Sequence, residues 1–330
     1  LKKDKRIHLP PFKVDKMKMT ALLEELSNWA MHSLRIKELW EHTKGERVRV
    51  AVLDTGCNHK DIKVKKFVNF SDDEDEDKCG HGSWVSGCIG ANGRFKGIAP
   101  ECELYVAKIL ANDGSGNWDW LRKGLEWAKE EECHIVNISA GGDYTGEEIQ
   151  PVLRELADLG ILIVCAGGNE GNLLIFPAND KNTIAVGAVD KKWKKAAFSN
   201  FGPRLVVMAP GVELLGCWLN DGYVKCSGTS MASPILAGIL TLEQSRHDLN
   251  LTEAIARFAW TSKDIGNPGW EPDTGWGVVE PHKFLQVEAT EKKITFAWIL
   301  NLAMFIFAYF VGDEENRQNA KRVLFGRRQL

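Results

Sequence analysis

An aspartate, a histidine and a serine stand in three short segments whose residue types suit nucleophilic catalysis. They are Asp54 in VAVLDTGCN, His81 in CGHGSWVSG and Ser230 in SGTSMASPILAG. A serine hydroxyl is a poor nucleophile until an adjacent base takes its proton, and an imidazole can do so near neutral pH. A buried carboxylate would fix the imidazole tautomer and stabilise the imidazolium. Glycines beside His81 and before Ser230 leave room for a substrate backbone. A serine opening a helix also gains a positive local field for developing negative charge. Each segment alone is weak, since a lone histidine is more often structural. The order Asp, His, Ser in a parallel α/β pattern is far more specific, because few triad orders exist.

The elements that must position these residues follow from the apolar pattern. RVRVAVLD (47–54), LYVAKIL (104–110), HIVNIS (134–139), ILIVCAG (161–167) and TIAVGAVD (183–190) are strand-length runs rich in Val and Ile. Continuous apolar runs imply strands buried on both faces, hence a parallel sheet. Helical patterns at 118–132, 147–160 and 230–245 alternate with them, which predicts an α/β fold with one large sheet. Pro234 is expected in the first turn of the last helix, where proline is tolerated. In an open α/β sheet the three segments converge at the carboxyl ends of the strands. Residues 21–42 carry Leu22, Leu23, Leu26, Trp29, Ala30 and Leu34 at helical spacing, which predicts an amphipathic helix. Pro10-Pro11 forbids a helix in the basic segment 1–20. The run Asp72 to Asp77 reads as a solvated acidic loop, with a cation site as the alternative.

Composition bounds the rest. The 330 residues are 44% hydrophobic and 26% charged, which excludes a disordered or collagen-like chain. The net charge of −3 leaves no global footprint for nucleic acid. Of the eight cysteines, no two are spaced C-x-x-C, so the reading is a reduced, intracellular protein rather than a disulfide scaffold. No apolar stretch follows the basic N-terminal residues, so no secretory signal is expected. No G-x-G-x-x-G or P-loop run points to nucleotide binding.

With these residues in view, the chain resembles the subtilisin-like serine proteases, the subtilases. The matching segments are VAVLDTG, GHGSWVSG, GIAP, GSGNWDW, ISAGG, VCAGGNEG, IAVGAVD, FSNFGPRLVVMAPG and SGTSMASP, spread over residues 47–280. Cys57 after DTG, NFSDD (69–73) and RIHLPPF (6–12) bring it nearest to the intracellular subtilisins. The resemblance implies a subtilisin-like three-layer α/β fold with a large, mostly parallel central sheet and helices on both faces. It implies Ser230 as nucleophile, His81 as general base and acid, and Asp54 as the orienting carboxylate. Asn169 aligns with the oxyanion-hole asparagine, acting with the Ser230 backbone N–H; a Gly-rich turn residue is the alternative. Ser139, Ala140 and Gly141 align with the edge that holds substrate backbone, and Ala166, Gly167 and Gly168 are implied to bind substrate as well. Trp118 aligns with the aromatic bordering the pocket for the fourth residue before the cut, or is simply core. The implied substrates are proteins or peptides, cut with broad specificity through an acyl-enzyme, with no cofactor needed for the chemistry.

RIHLPPF resembles a leader that lies across the active site and restrains activity until removed; it also reads as an unstructured basic tail. The expected organisation is a leader (1–20), a peptidase domain (21–290) and a tail (291–330). Two departures from the family stand out. The loop before GIAP is short, with Arg94 and Lys96 where calcium ligands belong. Asp61 alone matches a metal ligand, so the usual structural Ca²⁺ site looks degraded, since calcium takes six to eight oxygens. NEGNLLIFPAND is short as well, with Ile175 and Phe176 near the floor of the main specificity pocket. A shallow apolar pocket, favouring small or medium apolar side chains, is the expectation.

Residues 294–311, ITFAWILNLAMFIFAYFV, contain no charge. At ~1.5 Å per residue such a helix is about 27 Å long, close to a bilayer core. It reads as a C-terminal membrane anchor, or as a helix buried against the domain or in a homodimer. The expected location is cytoplasmic, with or without that tether. A catalytically silent scaffold on the same fold is the rival from another class.

Overall fold

The structure, a computed structural model, describes residues 6–16, 28–144 and 146–286. The elements run β1 (Arg6–His8), β2 (Lys13–Lys16), α1 (Trp29–Ser33), α2 (Ile36–Leu39), β3 (Arg49–Asp54), β4 (Val64–Asn69), α3 (His81–Gly90), β5 (Glu103–Lys108), β6 (Ser115–Asn117) and α4 (Trp118–Glu130). They continue with β7 (Ile135–Ile138), α5 (Gln150–Asp158), β8 (Leu162–Ala166), β9 (Ile184–Val189), β10 (Leu205–Pro210), β11 (Leu214–Cys217), β12 (Tyr223–Ser227), α6 (Thr229–Gln244), α7 (Leu251–Thr261) and α8 (Pro281–Gln286).

Seven strands form one parallel sheet in the order β10-β9-β8-β7-β3-β5-β4. Both faces are covered, which is why its strands read as unbroken apolar runs. Along β3, Val50 and Val52 point into one apolar cluster with α3 and α6, while Ala51 and Leu53 point into another with α4 and α5. This alternation is the period-2 geometry of a strand, and it makes three layers. Helix α6 is apolar nearly all round and buried from Thr229 to Glu243, as a helix enclosed by other elements must be. The chain winds outward from β3 in both directions, to β5 and β4 on one side and to β7 through β10 on the other. The crevice at such a reversal is where open α/β sheets place ligands.

The predicted strands and long helices stand within a few residues of expectation. Residues 21–42 differ: among the described part, α1 and α2 are separate short helices. Arg35, in the left-handed region at φ 54°, breaks the chain between them. Leu22, Leu23 and Leu26 lie outside the described residues, as does the apolar segment 294–311. Among the described residues no helix is long and apolar enough to cross a membrane. All eight cysteines are free.

Candidate active site

Asp54 ends the central strand β3, and its carboxylate is wholly buried. Its Oδ1 accepts from His81 Nδ1 at 2.8 Å and from the Thr55 amide at 2.7 Å. His81, also wholly buried, is the first residue of α3, so the carboxylate holds its ring with Nε2 facing away. Nε2 has no hydrogen-bond partner among the described residues. An imidazole held in this way can accept a proton at Nε2 while the carboxylate stabilises the resulting cation.

Ser230 is the second residue of α6, where backbone amides have no partner within the helix. Pro234 falls in the second turn of α6, not the first as expected. The displacement has a local consequence. Proline has no N–H to give the carbonyl four residues earlier, which is that of Ser230. That carbonyl instead accepts from Ser139 Oγ at 3.2 Å, and Ser230 Oγ donates to the Ser139 carbonyl at 3.0 Å. The paired bonds tie the start of α6 to the end of β7. Ser230 Oγ is thus turned toward Ser139.

Asn169 follows Ala166, Gly167 and Gly168 at the end of β8. Its Oδ1 accepts from the Thr229 amide and hydroxyl, both at 2.8 Å. The side-chain N–H₂ is therefore the end that faces the cleft. It donates to the carbonyl of Pro11 at 2.8 Å. Gly168 needs its missing side chain: φ is 109°, and a Cβ would meet Asn200 Nδ2 at 2.2 Å. Its amide donates to Thr229 Oγ1 at 3.0 Å. The backbone of 166–168 thus aims Asn169 rather than merely bordering it.

Residues 6–16 thread this cleft. Strand β1 pairs antiparallel with β6, and His8 exchanges two 3.0 Å backbone bonds with Gly141. The Leu9 amide donates to the Gly114 carbonyl at 3.1 Å. Ile7 is fully buried in the apolar cluster that contains Trp118. Trp118 opens α4 and stacks on Tyr144 with ring centroids 4.5 Å apart. The Phe12 ring lies edge-on to His81 at 4.8 Å. Beyond it, β2 pairs with β12. A peptide strand held between Ser115–Asn117 and Gly141 is β-augmentation, which reads main chain. Ala140 is buried beside this edge. Ile175 stands against Gly141, its Cδ1 2.7 Å from where a Cβ on Gly141 would lie.

Asp61 is buried away from the cleft. Its Oδ2 accepts from the Phe95 amide at 2.8 Å and the Tyr223 hydroxyl at 2.6 Å. Burial pushes its carboxyl up, but these bonds outweigh that and leave it below the ordinary 3.8. Asp61 lies with His59 and Cys217, their ligand atoms all within 4.8 Å of one another; imidazole and thiol are softer donors than the oxygens that calcium takes.

Residue-by-residue reading missed two groups. Asp77, taken with the solvated acidic run, is 1% exposed; the shortness of the step from Asp77 to His81 was the available signal. Lys108 is wholly buried on β5 opposite Asp54; a lysine inside an apolar strand run was its signal. Burial lowers its ammonium from the ordinary value, against the pull of Asp77, Asp73 and Asp54.

The family model for Peptidase S8, the subtilase family, matches residues 45–277. The chain is 36% identical over 233 residues to the major intracellular serine protease of Bacillus subtilis strain 168, covering 64% of this chain and 73% of that one. It is 32% identical over 290 residues to an intracellular serine protease of Paenibacillus polymyxa, covering 80% and 88%. Subtilisin DY of Bacillus licheniformis is 35% identical over 237 residues, covering 68% and 86%. With the seven-stranded parallel sheet, the buried Asp54–His81 pair and Ser230 at the head of a buried helix, these matches place the chain in the subtilase family of serine-type endopeptidases.

Proposed function

We propose that the chain hydrolyses peptide bonds through an acyl-enzyme on Ser230. His81 takes the hydroxyl proton, Asp54 holds the imidazole, and the oxyanion rests on Asn169 Nδ2 and the Ser230 amide. His81 then protonates the leaving amine and later activates water. Subtilases need no cofactor for this chemistry. The observation that carries the reading is the 2.8 Å bond from Asn169 Nδ2 to a peptide carbonyl in the cleft. In this reading the same N–H₂ donates to the oxyanion of a bound substrate.

Residues 1–20 act in this reading as an inhibitory leader. What supports it is the run of contacts from His8–Gly141 through Pro11–Asn169 to Phe12–His81. Backbone pairing at Gly141 suits broad specificity, and Ile175 against Gly141 suits a small or medium apolar side chain before the cut. The names of the intracellular relatives support a cytoplasmic location. The substrates are proteins or peptides; membrane or dimer contact through 294–311 lies outside the described residues.

The test is casein hydrolysis by wild type and Ser230→Ala, each with and without residues 1–20. Activity is expected only with Ser230 and chiefly without the leader. Equal activity of the serine and alanine forms would refute the mechanism.

A further inference from the structure

We infer that Asp77 is a positioning residue which, through Thr55 and the start of α3, fixes the geometry of His81 against Asp54. The inference rests on His81 as the base proposed above. Asp77 accepts five hydrogen bonds. Oδ1 takes the Thr55 hydroxyl at 2.9 Å, the Cys79 amide at 3.1 Å and the Gly80 amide at 2.8 Å. Oδ2 takes the Ser83 amide at 3.0 Å and the Ser83 hydroxyl at 2.7 Å. One carboxylate therefore binds the first turn of α3, which starts at His81, and also the residue after Asp54.

The remaining contacts close the frame. Thr55 Oγ1, while donating to Asp77, accepts from the Gly82 amide at 2.9 Å, and the Thr55 amide donates to Asp54. Lys108 Nζ donates to the Thr55 carbonyl at 2.7 Å and to Asn112 Oδ1 at 3.0 Å. Asp54 and His81 are thus joined twice: directly, and through Thr55 and Asp77. Only an ionised acid can accept from every donor around Asp77, because an amide would turn its N–H₂ against backbone N–H groups. A negative carboxylate at a helix start is also favoured by the helix dipole. Lys108, from β5, holds the carbonyl of the same Thr55.

The test measures the enzyme after leader removal. Asp77→Asn should lower kcat about tenfold or more with little change in KM. Thr55→Val should do the same, and Thr55→Ser should keep the wild-type kcat. A purely structural role would lower stability in urea unfolding without a fall in kcat at unchanged KM. Wild-type kcat in folded Asp77→Asn overturns the inference. If Asp77→Asn does not fold, Thr55→Val against Thr55→Ser decides, since only the former should lower kcat. Failure of fluorophosphonate to label leader-free wild type would instead refute the assignment of Ser230 and His81.

Discussion

Ile7 offers the sharpest check on the leader. It is fully buried, and its Cγ2 lies 3.1 Å from where a Cβ on Gly116 would be. Truncation to alanine removes three carbons from the closed state and almost nothing from the open one, where the side chain is in water. Buried Ile→Ala changes typically cost 2–5 kcal/mol. Taking about 2–4 kcal/mol, the open fraction should rise by about 30- to 700-fold. The ceiling is the activity of the enzyme lacking residues 1–20. Lys13→Ala is the control. That side chain is 71% exposed and its ion pair with Asp15 is on the surface, so it contributes little. The assay is initial-rate cleavage of a short chromogenic peptide by full-length protein, with mass spectrometry confirming an intact chain during the measurement. Full-length Ile7→Ala as silent as wild type, beside an active leader-free form, would refute the argument that burial of Ile7 holds the leader in place.

Three further outcomes are expected. Asn169→Leu in the leader-free enzyme should lower kcat by roughly 10²–10³ with KM little changed, and equal losses of kcat and affinity would argue for a structural role. Ile175→Ala should raise kcat/KM for phenylalanine before the cut relative to alanine by about tenfold; an unchanged peptide-library profile would show that Ile175 does not limit the pocket. Asp61→Asn should destabilise the fold at pH 7 by about 1–3 kcal/mol. Because the folded carboxyl lies below 3.8, its contribution is present above that pH and lost as pH falls through the folded value. Urea unfolding of the two proteins should therefore converge as pH falls below 3.8 and through the folded value, and a difference that stays constant as pH falls would contradict the assignment.

Much of this molecule was legible one segment at a time. The buried strands announced themselves because a parallel sheet covered on both faces leaves no polar alternation. The segments around Asp54, His81, Asn169 and Ser230 announced themselves by residue type and spacing. Helix α6 was legible too, its start within one residue of expectation, though Pro234 falls in its second turn and not its first. Arg35 broke a smooth apolar period at 21–42, since periodicity records which side chains are apolar and not whether the backbone between them stays helical.

Sequence alone therefore determined the fold class, the family likeness and the cast of reactive side chains. Tertiary structure decided which groups meet. It sank Asp77 out of an acidic run into a ring of five donors, because α3 begins four residues later and its amides need an acceptor. It matched the two carbonyls and hydroxyls of Ser139 and Ser230, because Pro234 frees one carbonyl and the end of β7 lies beside it. It laid residues 6–16 along the cleft, because an edge strand at Ser115–Asn117 and a free backbone at Gly141 bind any extended chain of the right shape. Each of these depends on contacts between residues far apart in the chain, and local propensity carries no record of them.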